Sequence, residues 1–175
     1  MTDQLPVLRP LRPADAPAVL AAFASAPDMA RQGEVTTPAQ AEAYVRRCTE
    51  PGRHVFAVTV ADRLVGAVGV AVDEEDRLGW VWYWMHAEHR GRGWTSAAVA
   101  TVADWALAVG GCERLELGHR VDNPASGRVA EAAGFVREGR ERGKFLIAGE
   151  RVDVLTYGRL VTDPVPTGPR LALTA

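Results

Sequence analysis

Apolar positions follow two rhythms along this chain, and each switch between them marks an element boundary. Val7 to Arg12 alternates apolar and basic residues up to Pro13, which predicts a short first strand. Pro13-Ala-Asp15 then opens a helix, with Asp15 in its first turn and Ala18, Val19, Ala22 and Phe23 at helical spacing. Ser25-Ala-Pro-Asp28 breaks that helix. After a loop through Gly33, Thr37-Pro38 caps a second helix over 39–49, which Pro51-Gly52 stops. Strand rhythm takes over at 54–61, 64–72 and 78–85, and the short turns at Asp62-Arg63 and 73–76 make these three an antiparallel meander. Helical spacing returns from Trp94 to Val109, with Val99, Val102, Ala103, Ala106 and Leu107 in register, and Gly110-Gly111 ends it. Arg114 to Gly118 is a short strand that follows a helical crossover and so can lie parallel to the strand before it. Asn123-Pro124 caps a helix over 125–133. Strands at 135–141 and 152–160 flank a turn at Ala148-Gly149-Glu150. The tail, 162–175, carries three prolines and reads as a loose arm.

The order β-αα-βββ-α-β-α-ββ predicts an α+β (mixed α/β) fold: a mixed, mostly antiparallel sheet flanked by helices, with one parallel strand pair. The chain reads as a single domain over 1–161 followed by the Pro-rich tail. Its 175 residues suffice for one good core, and a composition 47% hydrophobic and 24% charged is that of a globular protein. The net charge of -2 argues against a general nucleic-acid binder, which needs a basic face. No apolar run approaches the ~20 residues of a membrane span, so no membrane partner is expected. The N-terminus lacks a basic start and an apolar run, so no secretory signal is expected. Cys48 and Cys112 lie far apart and read as buried thiols of a reducing compartment, which points to the cytoplasm.

Candidate chemistry concentrates in residues 80–96. A run of aromatic and β-branched residues enters Arg90-Gly91-Arg92-Gly93, and a helix follows from Trp94. A strand, a glycine turn and a helix start aim unpaired backbone N–H groups at an anion, and the glycines let the backbone come close. Arg90 and Arg92 add charge for a pyrophosphate. Taken alone, a Gly-x-Gly is also an ordinary strand–helix turn. Rossmann and Walker readings fail on residues, because no third glycine follows Gly93 and no Lys-Ser/Thr pair closes a phosphate loop. Trp80, Trp82 and Trp84 share one sheet face, either as core or as an aromatic wall beside a substrate. His54, His86, His89 and His119 lack metal-site spacing, so no metal is expected.

The second informative stretch is Asn123-Pro-Ala-Ser126-Gly-Arg-Val129-Ala-Glu-Ala-Ala-Gly134-Phe135. Together with Tyr83-Trp84, His89-Arg-Gly-Arg-Gly93 and Asp153-Val-Leu-Thr-Tyr157, it makes residues 7–160 resemble the GNAT superfamily of acyl-CoA-dependent N-acyltransferases. The resemblance is to the RimJ/RimL-type branch. It implies acetyl-CoA as co-substrate and a primary amine as acceptor, either a protein N-terminus or a small molecule. It also allows a homodimer. Further, it implies that the pantetheine arm pairs with the backbone of Trp84, Met85 and His86, and that the pyrophosphate sits on Arg90, Gly91, Arg92, Gly93, Trp94 and Thr95. Asn123 matches the residue that bonds the pantetheine arm, although it also suits an N-cap. Ser126 matches the proton donor to the CoA thiolate, and the Met85 backbone N–H is placed to polarise the thioester carbonyl.

A general base is harder to assign. Trp80 and Lys144 stand where relatives often carry glutamates, which leaves Glu34, His54, His86, Glu138 and Glu141, or a water relay. The departure from the family pattern also motivates a second reading, a module that binds acyl-CoA without turning it over.

Overall fold

The computed structural model describes residues 5–147 and 149–174. Ala148 of the last predicted turn lies outside them, as do residues 1–4 at the start of the stretch read as lacking a leader. Eight strands form one sheet. Their order from edge to edge is Val136–Ile147 (β6), Glu150–Leu160 (β7), Arg114–Arg120 (β5), Leu78–Met85 (β4), Arg63–Asp73 (β3), Arg53–Val60 (β2), Val7–Pro10 (β1) and Ala172–Leu173 (β8). The α-helices are Ala16–Phe23 (α1), Pro38–Cys48 (α2), Trp94–Ala108 (α3) and Pro124–Ala132 (α4). This is the mixed α+β architecture expected from the element order.

Local chemistry accounts for the boundaries. Ala61 and Asp62 both take positive φ, 49° and 62°, which gives the β2–β3 hairpin a turn twisted to match its strands. Helix α2 starts in a capping box, where the Thr37 hydroxyl accepts from the Gln40 N–H and the Gln40 side chain accepts from the Thr37 N–H. Asp15 does more than charge a first turn. Buried, it accepts two hydrogen bonds from Arg9, at 2.8 and 2.7 Å, and one from the Arg12 N–H.

Strand alternation divides the apolar residues between two faces. Val81, Met85, Leu115 and Leu117 pack under Val99, Val102 and Ala103 of α3. On the other face, Leu64 and Trp84 pack under Val19, Phe23, Tyr44 and Val45 of α1 and α2. The three tryptophans do share a face, but in graded fashion. Trp84 is core, with its indole N–H donating to the Tyr44 hydroxyl at 2.9 Å, Trp82 is half-buried, and Trp80 is 40% exposed.

The sheet opens at its one internal parallel step. Strands β4 and β5 pair only at Leu78↔Arg114, Gly79↔Leu115 and Trp80↔Glu116. Beyond that point β4 continues against β3 as far as Met85↔Gly66, and β5 continues against β7 as far as Arg120↔Val154. The two strands therefore diverge into a V whose inner edges are backbone.

Three expectations need correction. The tail is not a loose arm. Ala172 and Leu173 pair parallel with Val7 and Leu8, the Thr174 N–H donates to the Leu8 carbonyl at 2.8 Å, and Leu171 N–H donates to Thr101 on α3 at 2.9 Å. The sheet thus holds two parallel pairs rather than one, because the three prolines route the chain without depriving Leu171 and Thr174 of their donors. The last hairpin is longer than its apolar pattern, since register shifts near Arg137 and Glu141 break the alternation. There, the Asp153 carboxylate accepts from the Gly143 N–H and from Arg140. Finally, β5 runs on to Arg120, two residues past its predicted end.

Candidate active site

The backbone at the V is sorted by strand parity. The His86 N–H donates to the Val65 carbonyl of β3 at 2.9 Å, and on the opposite side the Arg77 carbonyl accepts from Glu113 and Arg114. Even-numbered residues of β4 therefore turn their N–H and C=O toward β3, and odd-numbered residues turn theirs toward β5. Past Trp80, the backbone groups of Tyr83 and Met85 face the opening. Met85 thus presents its N–H to the opening. Trp84 and His86 do not offer backbone groups to a ligand there, because the β3 ladder takes them.

The Arg-Gly-Arg-Gly turn follows at once. Gly91 and Gly93 have φ of 76° and 74°, and a Cβ added at either would meet nothing within 4 Å, so backbone conformation rather than crowding calls for glycine. Gly93 is the N-cap of α3 and no side chain caps that helix, so the N–H groups of its first turn are open to an anion. Arg90 is less free than its charge implies. Its Nε donates to the Met85 carbonyl at 3.0 Å, and its Nη1 pairs with both Asp28 oxygens at 3.0 Å. It clamps the α1–α2 connection to the end of β4. Arg92 lies over the Trp94 ring at 5.0 Å, and Trp94 stacks on His89, so the Trp94 indole turns away from the cleft.

Helix α4 crosses the V. The Tyr83 hydroxyl lies 2.6 Å from Ser126 Oγ and donates to the Ser126 carbonyl at 2.9 Å. Burial pushes the Tyr83 phenol up to about 12, against the opposing effect of its bond to Ser126, so it stays protonated at neutral pH. Sequence alone assigns no chemistry to Tyr83, yet alternation against the three tryptophans already turns it toward the helix that carries Ser126. Asn123 precedes α4 but makes no side-chain cap bond, which leaves its amide available to a ligand. Tyr83→Phe keeps the ring and removes the hydroxyl. It is expected to slow any proton transfer routed through Ser126 about 10-fold, below the ~10²–10⁴ of a group that itself meets the reacting atom, with ligand affinity little changed. Steady-state kinetics beside a binding titration check this.

Two half-clefts meet at Tyr83 and Ser126. One, of about 220 Å³, is lined by Met85, Arg90, Gly91, Thr95, Asn123 and Val129 among others. The other, of about 250 Å³, lies between Trp80, Trp82, Gly118, Arg120 and Phe145. Arg31 and Gln32, between α1 and α2, border both. Trp82 lies flat because Gly69 on β3 has no side chain, and a Cβ there would fall 2.3 Å from the indole. Gly69→Ala should cost roughly 1–3 kcal/mol by overpacking. Denaturant unfolding checks that, with a shift in Trp82 fluorescence as the accompanying sign.

The side-chain base candidates all lie elsewhere. Glu34 borders a separate hollow beside Phe23 and Val35, and His54 packs on Trp105 near the far edge of the sheet. The His86 ring turns to His89 and accepts from the Glu88 N–H, outside both half-clefts. Glu138 is held by Arg114, which keeps its carboxyl below the usual range, and Glu141 is paired with Lys144. His119 does border the second half-cleft, but its Nδ1 meets the Arg120 carbonyl at 2.8 Å and its Nε2 faces Tyr157. His86, Glu88 and His89 bring donor atoms within 4.8 Å of one another, a grouping that linear spacing does not suggest. No described helix is long and apolar enough to cross a membrane.

An "Acetyltransferase (GNAT) domain" matches residues 7–136. The ribosomal-protein-serine acetyltransferase of Escherichia coli (strain K12) is 27% identical over 108 residues, covering 61% of this chain and 60% of that protein. The chain thus aligns to about three-fifths of that relative's length. A RimL ribosomal L7/L12 alpha-N-protein acetyltransferase solved with coenzyme A superposes with a TM-score of 0.80 at 20% identity, covering 87% of this chain and 92% of that one. Spermidine N-acetyltransferase from Vibrio cholerae, solved with CoA and spermine, gives 0.79 at 20% identity, covering 90% and 96%. These likenesses agree with the RimJ/RimL-type resemblance carried by the two motifs. With the diverging strands, the glycine turn and the matched residues together, the chain belongs to the GNAT acetyltransferase family.

Proposed function

We propose that the protein transfers an acetyl group from acetyl-CoA to a primary amine by direct attack of the amine on the thioester. The observation that carries this reading is the Tyr83–Ser126 hydroxyl pair at the junction of two half-clefts, one of which ends on the open N-terminus of α3. The pyrophosphate is held by the N–H groups of Gly91 to Thr95, and the pantetheine arm runs along β4 past Asn123. The Met85 N–H polarises the thioester carbonyl, a contribution of about 10²–10³ for one such donor. As the tetrahedral intermediate collapses, Ser126 protonates the departing thiolate, Tyr83, protonated and 2.6 Å away, turns its proton from the Ser126 carbonyl to the serine oxygen, and water returns a proton to the phenol.

No carboxylate borders the acceptor-side half among the described residues, so the ammonium loses its proton to water. Holding both reactants in line supplies much of the acceleration. The free, buried thiols of Cys48 and Cys112 suit a reducing compartment, and we place the protein in the cytoplasm on that ground.

The test is thiol release from acetyl-CoA on addition of primary amines, with binding of acetyl-CoA measured in parallel. Amine-dependent release is expected. Binding without release across small amines and peptides would favour the non-catalytic module, and absence of binding would remove both readings.

A further inference from the structure

The acceptor-side half-cleft has a chemistry of its own. It is bordered by the aromatic side chains of Trp80, Trp82 and Phe145, and its polar groups include Arg31, Gln32 and Arg120. These cations are not equally committed. Arg120 is tied to Asp122 by Nε at 3.0 Å and by a second bond from Nη2. Beside Arg120, the Asp122 carboxyl stays below its usual range and is therefore anionic at neutral pH. Arg31 reaches that same carboxylate only at 3.9 Å, and its side chain is 30% exposed. One carboxylate thus serves two guanidiniums, and Arg31 keeps most of its charge for a ligand. Lys144 adds a further cation 5.8 Å above the Trp80 ring, where it is paired with Glu141.

We infer that the acceptor is a small amine carrying a carboxylate next to its amino group and a flat apolar body, an aromatic α-amino acid in chemical class. This rests on the acyl-transfer reading above. Arg31 binds the carboxylate, the apolar body lies among Trp80, Trp82 and Phe145, and the amine points through the V toward the thioester. A volume of about 250 Å³ suits a ligand of that size, below the range of ~300–1,000 Å³ typical of drug-sized pockets. A polyamine finds the opposite of what it needs, since its second ammonium would meet guanidiniums and no lining carboxylate. In the transfer, the amine nitrogen forms the new bond to the acetyl carbon, the carbon–sulfur bond breaks, the amine proton leaves to water, and the thiolate takes one from Ser126, which water restores by way of Tyr83.

The test compares kcat/KM, with saturating acetyl-CoA, for L-phenylalanine, phenethylamine, spermidine and a serine-initiated hexapeptide amide. Alongside it, L-phenylalanine is titrated calorimetrically into the CoA-saturated protein. L-Phenylalanine should exceed phenethylamine by about 10-fold or more, the scale of one charge-assisted contact, and should exceed spermidine and the peptide as well. Arg31→Gln, at a partly exposed position, should collapse the phenylalanine-to-phenethylamine ratio to within about threefold. Equal or better use of phenethylamine, spermidine or the peptide overturns the inference, as does an unchanged ratio in Arg31→Gln. If no amine supports thiol release, the transfer reading falls and the inference that this molecule is the acceptor falls with it, while Arg31-dependent binding of L-phenylalanine upholds only the ligand class of the cleft. Failure of L-phenylalanine to bind overturns the acceptor class itself.

Discussion

Ser126→Ala lowers kcat by about 10²-fold while leaving acetyl-CoA affinity within a small factor of wild type, at the conservative end for loss of a positioned acid. The expectation follows from what the substitution leaves in place. Tyr83 still donates to the Ser126 backbone carbonyl at 2.9 Å, so α4 remains seated on β4, and the glycine turn and the Met85 N–H are untouched. What disappears is the hydroxyl between the phenol and the site of the thiolate. A leaving group must then depart as a free thiolate or take its proton from water. Amines whose attack is already slow should show a smaller effect than reactive ones, because collapse of the intermediate limits less of their rate. Pre-steady-state and steady-state thiol release, with a binding titration, separate these cases. An equal loss of kcat and of acetyl-CoA affinity would make Ser126 a binding residue instead.

The largest stability effect is expected far from the cleft. Arg159 on β7 is 2% exposed, and its guanidinium donates to Asp104 of α3 at 2.6 Å and to the Ala133 carbonyl at 3.1 Å. Asp104 also accepts from Arg170 of the tail at 2.6 Å. Removing one partner of a buried pair leaves a desolvated charge, which typically costs about 3–5 kcal/mol. Asp104→Ala should fall toward the lower end of that range, because the carboxylate is 31% exposed and some water reaches the site. The tail should loosen in the same variant, with faster hydrogen exchange at Leu171 and Thr174. Arg170→Gln, which keeps the Asp104–Arg159 pair, should cost about 1 kcal/mol or less, as partly exposed pairs do. Denaturant unfolding of the two variants side by side is the check, and equal costs would contradict the assignment.

Much of this fold was legible because local and global signals agree. The meander declared itself through short turns, α3 through helical spacing, and the turn before α3 through two glycines that the backbone does hold at positive φ. Ser126 and Asn123 were legible as parts of one motif on one helix. What escaped depends on relations between distant stretches. Whether Trp84, Met85 or His86 offers backbone to a ligand turns on strand parity, which is set by the bond from His86 to Val65. The second half-cleft draws on residues 31–32, 80–83, 117–120, 123, 126 and 145, and no linear spacing ties these together. Arg90 matched a phosphate ligand by type and position, yet its partner Asp28 lies sixty-two residues upstream. The tail escaped for a related reason, since prolines report local conformation and say nothing of a free sheet edge nearby.

A crystal structure with coenzyme A bound tests the central claim most directly. The account predicts the pyrophosphate on the N–H groups of Gly91 to Thr95, the pantetheine arm between β4 and β5 beside Asn123, and the thiol within hydrogen-bonding reach of Ser126 Oγ. Coenzyme A bound outside the V, or with its thiol remote from both Ser126 and the Met85 N–H, would contradict it.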